Sequence, residues 1–289
     1  MAFVTRRNFV GRSLISIPFA SALIARERFT ANNLGVQLYT VRSTVGKDPL
    51  GVLRRIQEIG YKEIEATSGN LQVVAPALKQ TTLRPVSIHI EEGIFMGEGA
   101  KLDEAFANAK SLGFKFAVVP YIAPEHRGGA EVFKALADKL NKFGEKANAN
   151  GLRLCYHNHA FEYQTFDGKT GLEMLMSGTD KNLVGLELDI FWASVAGQNP
   201  VDVLKRYSGR VPLVHLKDKS KSFGQMQYNE KVPKDTFKEV GNGSIDIASV
   251  LKSAEAEGAE HYFVEQDQTT GDPLDSLATS YKNLSAHFD

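Results

Sequence analysis

The chain has 289 residues, enough for one large domain or two small ones, and its 43% apolar and 24% charged residues suit a globular protein with an ample core. Lysine plus arginine and aspartate plus glutamate each number 34, so the chain lacks the basic excess of a nucleic-acid-binding protein. The single cysteine, Cys155, excludes an internal disulfide and any cysteine-based zinc cluster.

Residues 1–25 are typical of an export signal. They contain Arg6, Arg7 and Arg12 and no acidic residue, and then an apolar run from Leu14 to Ala25. That run is too short to cross a bilayer as a mature helix but suits the apolar part of a signal peptide. The segment Thr5–Val10, with its two adjacent arginines, resembles a twin-arginine signal. Cleavage at Ala20–Ala22 or at Ala25 leaves 31 basic against 34 acidic residues. We expect a bacterial periplasmic protein without stable membrane insertion after cleavage; the alternative is a basic first helix of the fold.

From Leu34 onward, short apolar runs alternate with amphipathic stretches such as Pro49–Ile59. Glycines that supply a left-handed backbone end four of the helical stretches, at Gly60, Gly113, Gly151 and Gly258. The predicted strands are Leu34–Leu38, Glu63–Ala66, Pro85–Ile90, Phe116–Pro120, Leu152–Tyr156, Val184–Asp189, Val211–Leu216 and Tyr262–Glu265.

Eight such units without a linker predict the α/β class and a single (β/α)8 TIM barrel over residues 34–289. An open dinucleotide-binding sheet is disfavoured, because no glycine-rich phosphate loop follows a strand. The nearest match, Gly241-Asn242-Gly243, lies in a long polar loop from Asp218 to Ser244. This loop is interpreted either as a lid or pocket wall, or as a disordered insertion.

Polar side chains stand at or just after the C-terminal ends of all eight strands, where a parallel barrel gathers its chemistry. Among them, Glu162, Asp189, His215 and Glu265 form an oxygen-rich ligand set that suits Mn²⁺, Mg²⁺ or Co²⁺. The wider group is Gln37, Tyr39, Glu65, His89, Tyr121, His157, His159 and Lys217.

Alternation along the strands separates these candidates by depth. Glu187 and Asp189 share one side of their strand; Asp189 is the better ligand, and the deeper Glu187 is expected to pair with a lysine or arginine inside the barrel. His215 and Lys217 also lie on one side of their strand, so a metal ligand and a cationic side chain are expected near the same bound substrate. The alternative for Lys217 is a salt bridge with Asp218 at the rim.

The stretch Tyr156–Glu162 is the least ordinary in composition. His157 and His159 flank Asn158 and face the same way on an extended chain, so they suit metal ligation, support of the ligands or acid–base catalysis. The remaining histidines, His126, His261 and His287, lack such a context and are interpreted as structural. Cys155 is interpreted as a small core residue, and no Gly-x-Ser-x-Gly nucleophile motif is present.

Several motifs together resemble the sugar phosphate isomerase/epimerase superfamily, the xylose isomerase-like barrels, from about Leu34 to Asp289. These motifs are Gly35–Arg42, Tyr156–His159, Leu188–Trp192, Val214–Asp218, Gly241–Gly243 and Val264–Asp267. The resemblance implies one divalent metal, with Mn²⁺ favoured over Mg²⁺, Co²⁺ and Zn²⁺, held by Glu162, Asp189, His215 and Glu265. Many relatives carry the first glutamate on strand five, where this chain has His157, so His157 or His159 is an alternative first ligand.

The resemblance also implies proton abstraction beside a carbonyl, with an enediolate that the metal stabilises. Glu162 and Glu265 are expected to double as bases, with His159 and Lys217 as acid or oxyanion partners. Trp192 and Phe191 are expected to form an apolar wall. The substrate-binding residues implied are Gln37, Glu65, His89, His157 and Trp192.

Isomerisation or epimerisation of an unphosphorylated sugar or keto-sugar is the first hypothesis, because no arginine cluster suggests a phosphate clamp. The second is a lyase or hydratase on the same site, as in inosose dehydratases and barrels that process 3-keto-glycosides; the His-Asn-His stretch looks closer to these. A sugar-binding barrel without turnover and a DNA-repair endonuclease are the remaining alternatives. The partner expected is a small sugar and not a nucleic acid, and homo-oligomerisation is left open.

Overall fold

The computed structural model describes residues 28–97, 99–224 and 226–288. The predicted export segment, residues 1–25, lies outside the described residues. Among the helices of the described part, none combines the length and apolar character needed to cross a membrane.

Eight parallel strands form a closed barrel, which confirms the predicted fold class. The barrel closes because β1 pairs with β8 as well as with β2, for example through Val36 opposite Val264. Each strand lies within two residues of its predicted bounds. The strands are β1 Leu34–Gln37, β2 Glu63–Thr67, β3 Arg84–His89, β4 Phe116–Val119, β5 Arg153–His157, β6 Val184–Asp189, β7 Leu213–Leu216 and β8 His261–Val264.

The helices surround the barrel, and the predicted Pro49–Ile59 is present with those bounds. It begins where the Asp48 carboxylate accepts a hydrogen bond from the amide of Gly51, and it ends at Gly60, whose φ of 126° is open only to glycine at low cost. The helices are α1 Arg42–Val45, α2 Pro49–Ile59, α3 Leu71–Leu78, α4 Glu92–Gly97, α5 Ala100–Ser111, α6 Ala130–Ala149, α7 Gly171–Gly178, α8 Ile190–Val195, α9 Pro200–Arg206, α10 Ile247–Glu257 and α11 Pro273–Ser285.

A small core inside the barrel supports the site from below. Cys155, Leu213 and Phe263 are each fully buried and belong to one cluster. Because strand residues alternate in direction, side chains two positions further along these strands point to the same interior and lie nearer the C-terminal face. This core is therefore the floor beneath the polar layers, and the interpretation of Cys155 as a core residue is confirmed.

The long loop after β7 is built around one carboxylate. Asp218 accepts backbone hydrogen bonds from Gly241 and Gly243 at 2.9 Å and from Ile245 at 3.1 Å. The ribbon formed by Asp218–Lys219 and Phe237–Lys238 joins the two ends of the loop. The loop is thus organised, as the pocket-wall interpretation requires, and the rim salt bridge between Lys217 and Asp218 is not formed.

Candidate metal centre and active site

A cavity of about 830 Å³ opens at the C-terminal ends of the barrel strands. Several of the predicted side chains line it: Tyr39, His89, Tyr121, His157, His159, Trp192, Lys217 and Glu265. The loop after β7 supplies part of its wall, through Glu230, Val232, Lys234 and Phe237. Gln37, Glu65, Glu162, Asp189 and His215 do not line it and are fully buried.

The upper polar layer contains three side chains that each offer a metal-ligating atom within 4.8 Å of the others: Asp189, His215 and Glu265. Asp189 ends β6, His215 lies within β7, and Glu265 follows β8 directly. Since these strands are neighbours in the barrel, residues far apart in the chain meet at one end of the sheet. His215 Nδ1 lies 2.9 Å from a carboxylate oxygen of Glu265.

Lys217 carries the positive charge of this layer. Its Nζ lies 2.7 Å from Glu265 Oε2, 3.0 Å from Asp189 Oδ2 and 2.9 Å from Asp267 Oδ1. Burial by itself lowers the pKa of Lys217, but the three carboxylates outweigh it and hold that pKa well above its ordinary value. Burial raises the pKa of Asp267 to about 6, against the opposing effect of Lys217.

Asp267 is a member of this layer that sequence reasoning did not single out. It lies in the motif Val264–Asp267, where Glu265 and Asp267 alternate just as His215 and Lys217 do one strand earlier. That alternation was the available signal, because both pairs point their side chains to the same interior.

The upper layer fits a divalent cation by the chemistry of its donors. Asp189 Oδ2 is buried and accepts no hydrogen bond from the described residues. The Lys217 ammonium lies 3.0 Å from it, so this oxygen lies where a positive charge is favoured. His157 Nε2 is 3.6 Å from the same oxygen and offers a fourth donor. Two carboxylates and two imidazoles are a donor set that Zn²⁺, Mn²⁺ or Co²⁺ accepts.

A lower polar layer lies under the first and brings together His89, His157, Glu187 and His215. Glu187 Oε2 lies 2.8 Å from His89 Nε2, 2.9 Å from His157 Nδ1 and 3.3 Å from His215 Nε2. The prediction that Glu187 is the deeper residue is therefore confirmed. The prediction that Glu187 pairs with a lysine or arginine is wrong. Glu187 contacts three imidazoles, and Lys217 lies in the upper layer beside Asp189.

Glu65 belongs to the same lower layer rather than to the cavity. Its Oε2 lies 2.5 Å from His215 Nε2 and 3.1 Å from His89 Nε2, and it accepts a hydrogen bond from the Gln37 amide at 2.8 Å. Gln37 also accepts a hydrogen bond from the amide of Tyr39. Both predicted substrate-binding residues thus lie beneath the cavity, where they contact the supporting layer.

Glu162 lies outside both groups of ligating atoms. Its two oxygens accept hydrogen bonds from the Tyr156 hydroxyl at 2.8 Å and from the backbone amide of His159 at 2.9 Å. Burial raises the pKa of Glu162 to about 8, despite these two donors. Its ligand and catalytic roles remain predictions, and its observed contacts are those of a residue that holds the turn after β5.

His159 faces the cavity beside Trp192, with ring centroids 5.4 Å apart, and Tyr121 approaches it edge-on at 5.2 Å. Its Nδ1 is buried and has no hydrogen-bond partner among the described residues. Burial and the nearby Lys217 hold the pKa of His159 well below its ordinary value. His159 therefore lies in an aromatic corner of the cavity, where its surroundings disfavour the charged form of the imidazole.

Of the two aromatic residues expected to form an apolar wall, Trp192 lines the cavity and Phe191 lies behind it. Phe191 is fully buried and stacks on Phe237, with ring centroids 4.5 Å apart. None of the three histidines interpreted as structural, His126, His261 and His287, lines the cavity. His261 bonds Glu63 at 2.7 Å, and His126 bonds Glu92 at 2.9 Å.

Comparison with known proteins agrees with this architecture. The sequence model described as the xylose isomerase-like TIM barrel matches residues 53–284. The inosose dehydratase of Clostridium botulinum (strain Alaska E43 / Type E3) is 33% identical over 166 residues, which cover 54% of this chain and 55% of that protein. The chain thus spans about half the length of the curated relatives it matches.

Two solved structures share the fold. A sugar phosphate isomerase/epimerase from Parabacteroides distasonis superposes with a TM-score of 0.70 at 22% identity, over 89% of this chain and 95% of that one. The IolI protein, solved with a bound zinc atom, superposes with a TM-score of 0.68 at 17% identity, over 89% of this chain and 99% of that one. At these identities the likeness establishes the common barrel.

Proposed function

The chain belongs to the xylose isomerase-like TIM barrel family, and from that premise we propose that it is a metal-dependent dehydratase of an unphosphorylated polyhydroxy ketone. The observation that carries the proposal is that Asp189, His215 and Glu265 converge at the base of the cavity, with Lys217 beside the two carboxylates. Such a site suits proton abstraction next to a carbonyl. The similarity to inosose dehydratases favours loss of water over isomerisation or epimerisation.

The proposed ligands are His157, Asp189, His215 and Glu265. His157 replaces Glu162 in this set because its Nε2 approaches Asp189, whereas both oxygens of Glu162 accept hydrogen bonds elsewhere. A bound divalent ion would supply Lewis-acid stabilisation of the substrate's carbonyl and hydroxyl oxygens.

The chain's own residues supply the proton transfers. The His159 ring lines the cavity beside Trp192, so His159 is the proposed base that takes the proton from the carbon next to the carbonyl. The electron pair of that C–H bond forms the enolate, whose negative charge the Lys217 ammonium would stabilise electrostatically while its N–H groups stay with the three carboxylates. The bond to the β-hydroxyl then breaks, and His159 returns the proton to the departing oxygen, which leaves as water.

The cavity's charges support an uncharged substrate. Arg42 donates hydrogen bonds to the carbonyls of Tyr39 and Asp267, and Lys217 is held by three carboxylates. Two of the three lysine and arginine side chains that line the cavity are therefore already engaged, and the third, Lys234 on the loop after β7, does not by itself form a clamp for a phosphate group. Trp192 adds an apolar face that limits access of water to the reacting carbons.

The test is incubation of the metal-loaded protein in deuterium oxide with free inososes, keto-sugars and 3-keto-glycosides. We expect the protein to remove water from one substrate class, as detected by mass spectrometry. The Asp189→Asn variant should lose both the bound ion and the activity. Asp138→Asn, an exposed carboxylate on α6, is the matched control. Deuterium incorporation without loss of water would replace the dehydratase with an epimerase or isomerase, and neither event with any substrate would favour a binding protein.

Export to the periplasm remains part of the proposal. Its support is the resemblance of Thr5–Val10 to a twin-arginine signal, followed by the apolar run. N-terminal sequencing of the protein recovered from a bacterial periplasm tests it, with Arg6→Lys/Arg7→Lys as the variant expected to remain in the cytoplasm. Recovery of an intact N-terminus from the cytoplasm in both cases would contradict export.

A further inference from the structure

The two carboxylates of the lower polar layer, Glu65 and Glu187, have no role in the reaction proposed above, although they are among the most deeply buried charged groups of the barrel. Glu65 and Glu187 are both fully buried inside the barrel, where an unpaired carboxylate would be strongly disfavoured. Each directs Oε2 toward imidazole nitrogens. A buried carboxylate needs hydrogen-bond partners that offset its loss of hydration, and here those partners are imidazoles.

The two carboxylates contact the two histidine ligands on the side of each ring that faces away from the upper polar layer. His157 directs Nδ1 to Glu187 at 2.9 Å, which leaves Nε2 on the side of Asp189. His215 directs Nε2 to Glu65 at 2.5 Å, which leaves Nδ1 on the side of Glu265. Each ring therefore has one nitrogen facing a lower carboxylate and the other facing the upper layer.

We infer that Glu187 and Glu65 are positioning residues that fix the ring orientation and tautomer of His157 and His215 for metal binding. The inference rests on the ligand set of the proposed function. A ring N–H donated to a carboxylate leaves the lone pair on the opposite nitrogen, and the carboxylate makes the imidazole a stronger donor to a cation.

His89 and Gln37 hold these two carboxylates in place. His89 Nε2 lies 2.8 Å from Glu187 and 3.1 Å from Glu65, so one ring connects both carboxylates. Gln37 donates a second, neutral hydrogen bond to Glu65. The predicted substrate-binding residues of β1, β2 and β3 thus contribute to the site through the histidine ligands.

The competing assignment is a second ion in the lower layer, since four of its side chains offer converging atoms. That ion would have to replace the hydrogen bonds that Glu187 now makes with His89 and His157. The two assignments differ in stoichiometry: positioning predicts one ion per chain, and a second site predicts two.

The chain offers a matched control at the opposite end of the barrel. Glu63 bonds His261 Nδ1 at 2.7 Å, which is also a buried carboxylate–imidazole pair, and neither residue lines the cavity. Glu63→Gln therefore reproduces the loss of a buried charge next to a histidine without touching the ligands.

The experiment measures Co²⁺ binding to the metal-stripped full chain, by absorption spectroscopy and by competition with a chromogenic chelator. The variants are Glu187→Gln, Glu187→Leu, Glu65→Gln and Glu63→Gln. We expect one ion in the wild type, an affinity about 10- to 100-fold lower in the Glu187 and Glu65 variants with an altered Co²⁺ spectrum, and an unchanged affinity in Glu63→Gln. Leucine at 187 should weaken binding more than glutamine, which keeps an acceptor.

The contrary outcomes are distinct. Wild-type affinity and spectrum in both glutamine variants and in Glu187→Leu would overturn the positioning role while leaving the ligand set intact. Two ions in the wild type and one in the Glu187 variants would make Glu187 a ligand of a second site. No Co²⁺ bound by the folded wild type would overturn the ligand set itself.

Discussion

The Tyr156 hydroxyl donates a 2.8 Å hydrogen bond to Glu162 Oε1, deep behind the cavity wall. Tyr156 and Glu162 are both buried, and the second oxygen of Glu162 accepts the amide of His159. This glutamate therefore links strand β5 to the turn that follows it and sets the position of the His159 backbone. The sequence suggested a metal ligand there, so the two roles make opposite predictions.

Replacing Glu162 with glutamine should leave the metal content near one ion per chain. The amide keeps an acceptor for the His159 amide and a similar volume, and neither oxygen faces the upper layer. Asp189→Asn should instead lower the affinity at least about tenfold, because it removes a charge from the donor set. Metal analysis after dialysis measures both. Equal loss of metal from the two variants would restore Glu162 to the ligand set.

The same residue should make stability depend on pH. Burial raises the pKa of Glu162 from 4.5 to about 8, so the folded chain keeps a proton that the unfolded chain releases. The free energy of unfolding contributed by this group therefore falls as pH rises from about 5 to about 8, and levels off above that. Relative to Glu162→Gln, the wild type should lose stability across this interval. Urea unfolding of the metal-free protein at several pH values measures the difference, and two parallel pH profiles would contradict it.

The neutral variant Lys217→Met should separate metal binding from turnover. The ammonium lies within 3.0 Å of two proposed ligand carboxylates, so its removal should strengthen binding of a divalent ion by relieving repulsion. Turnover should fall by about 10²- to 10⁴-fold, because the enolate oxygen loses its cationic partner. Lys219→Met is the control, since Lys219 contacts the Ser194 carbonyl and does not line the cavity.

Chelator competition and steady-state kinetics on the two lysine variants check this prediction. Weaker metal binding in Lys217→Met would indicate that the ammonium organises Asp189 and Glu265 rather than competing with the ion. Turnover equal to that of the wild type would remove Lys217 from the proposed reaction.

The sequence predicts features that neighbouring residues determine better than contacts between residues far apart in the chain. Strand β6 was predicted with its observed bounds, because its alternating side chains end at Asp189, which also caps α8 by accepting the amide of Trp192. Such signals are local, since a few neighbouring residues determine them. The eight strand ends, and hence the upper layer, follow from this regularity once the barrel is assumed.

The lower layer could not be derived in the same way. Glu65 and His215 are 150 residues apart, and their contact depends on the register and tilt of strands that do not pair with each other. Glu187 was expected to find a lysine or arginine because isolated buried carboxylates usually do. Three imidazoles surround it instead, and only the closed barrel shows that they converge on one oxygen.

The final prediction concerns the Gly-Asn-Gly motif, whose purpose the sequence did not disclose. The amide of Gly243 donates to Asp218, and a Cβ at this position would lie 2.1 Å from Asp218 Oδ1 and 2.5 Å from the Lys219 carbonyl. Because one of these contacts is backbone, Gly243→Ala must displace the loop that carries Glu230 and Phe237 into the cavity wall. We expect a loss of stability on the order of 1–3 kcal/mol and weaker substrate binding. Thermal unfolding and KM measure the two effects, with Gly129→Ala as the control, since no atom lies within 4 Å of its added Cβ. An unchanged KM in a destabilised Gly243→Ala would show that the loop wall does not contact the substrate.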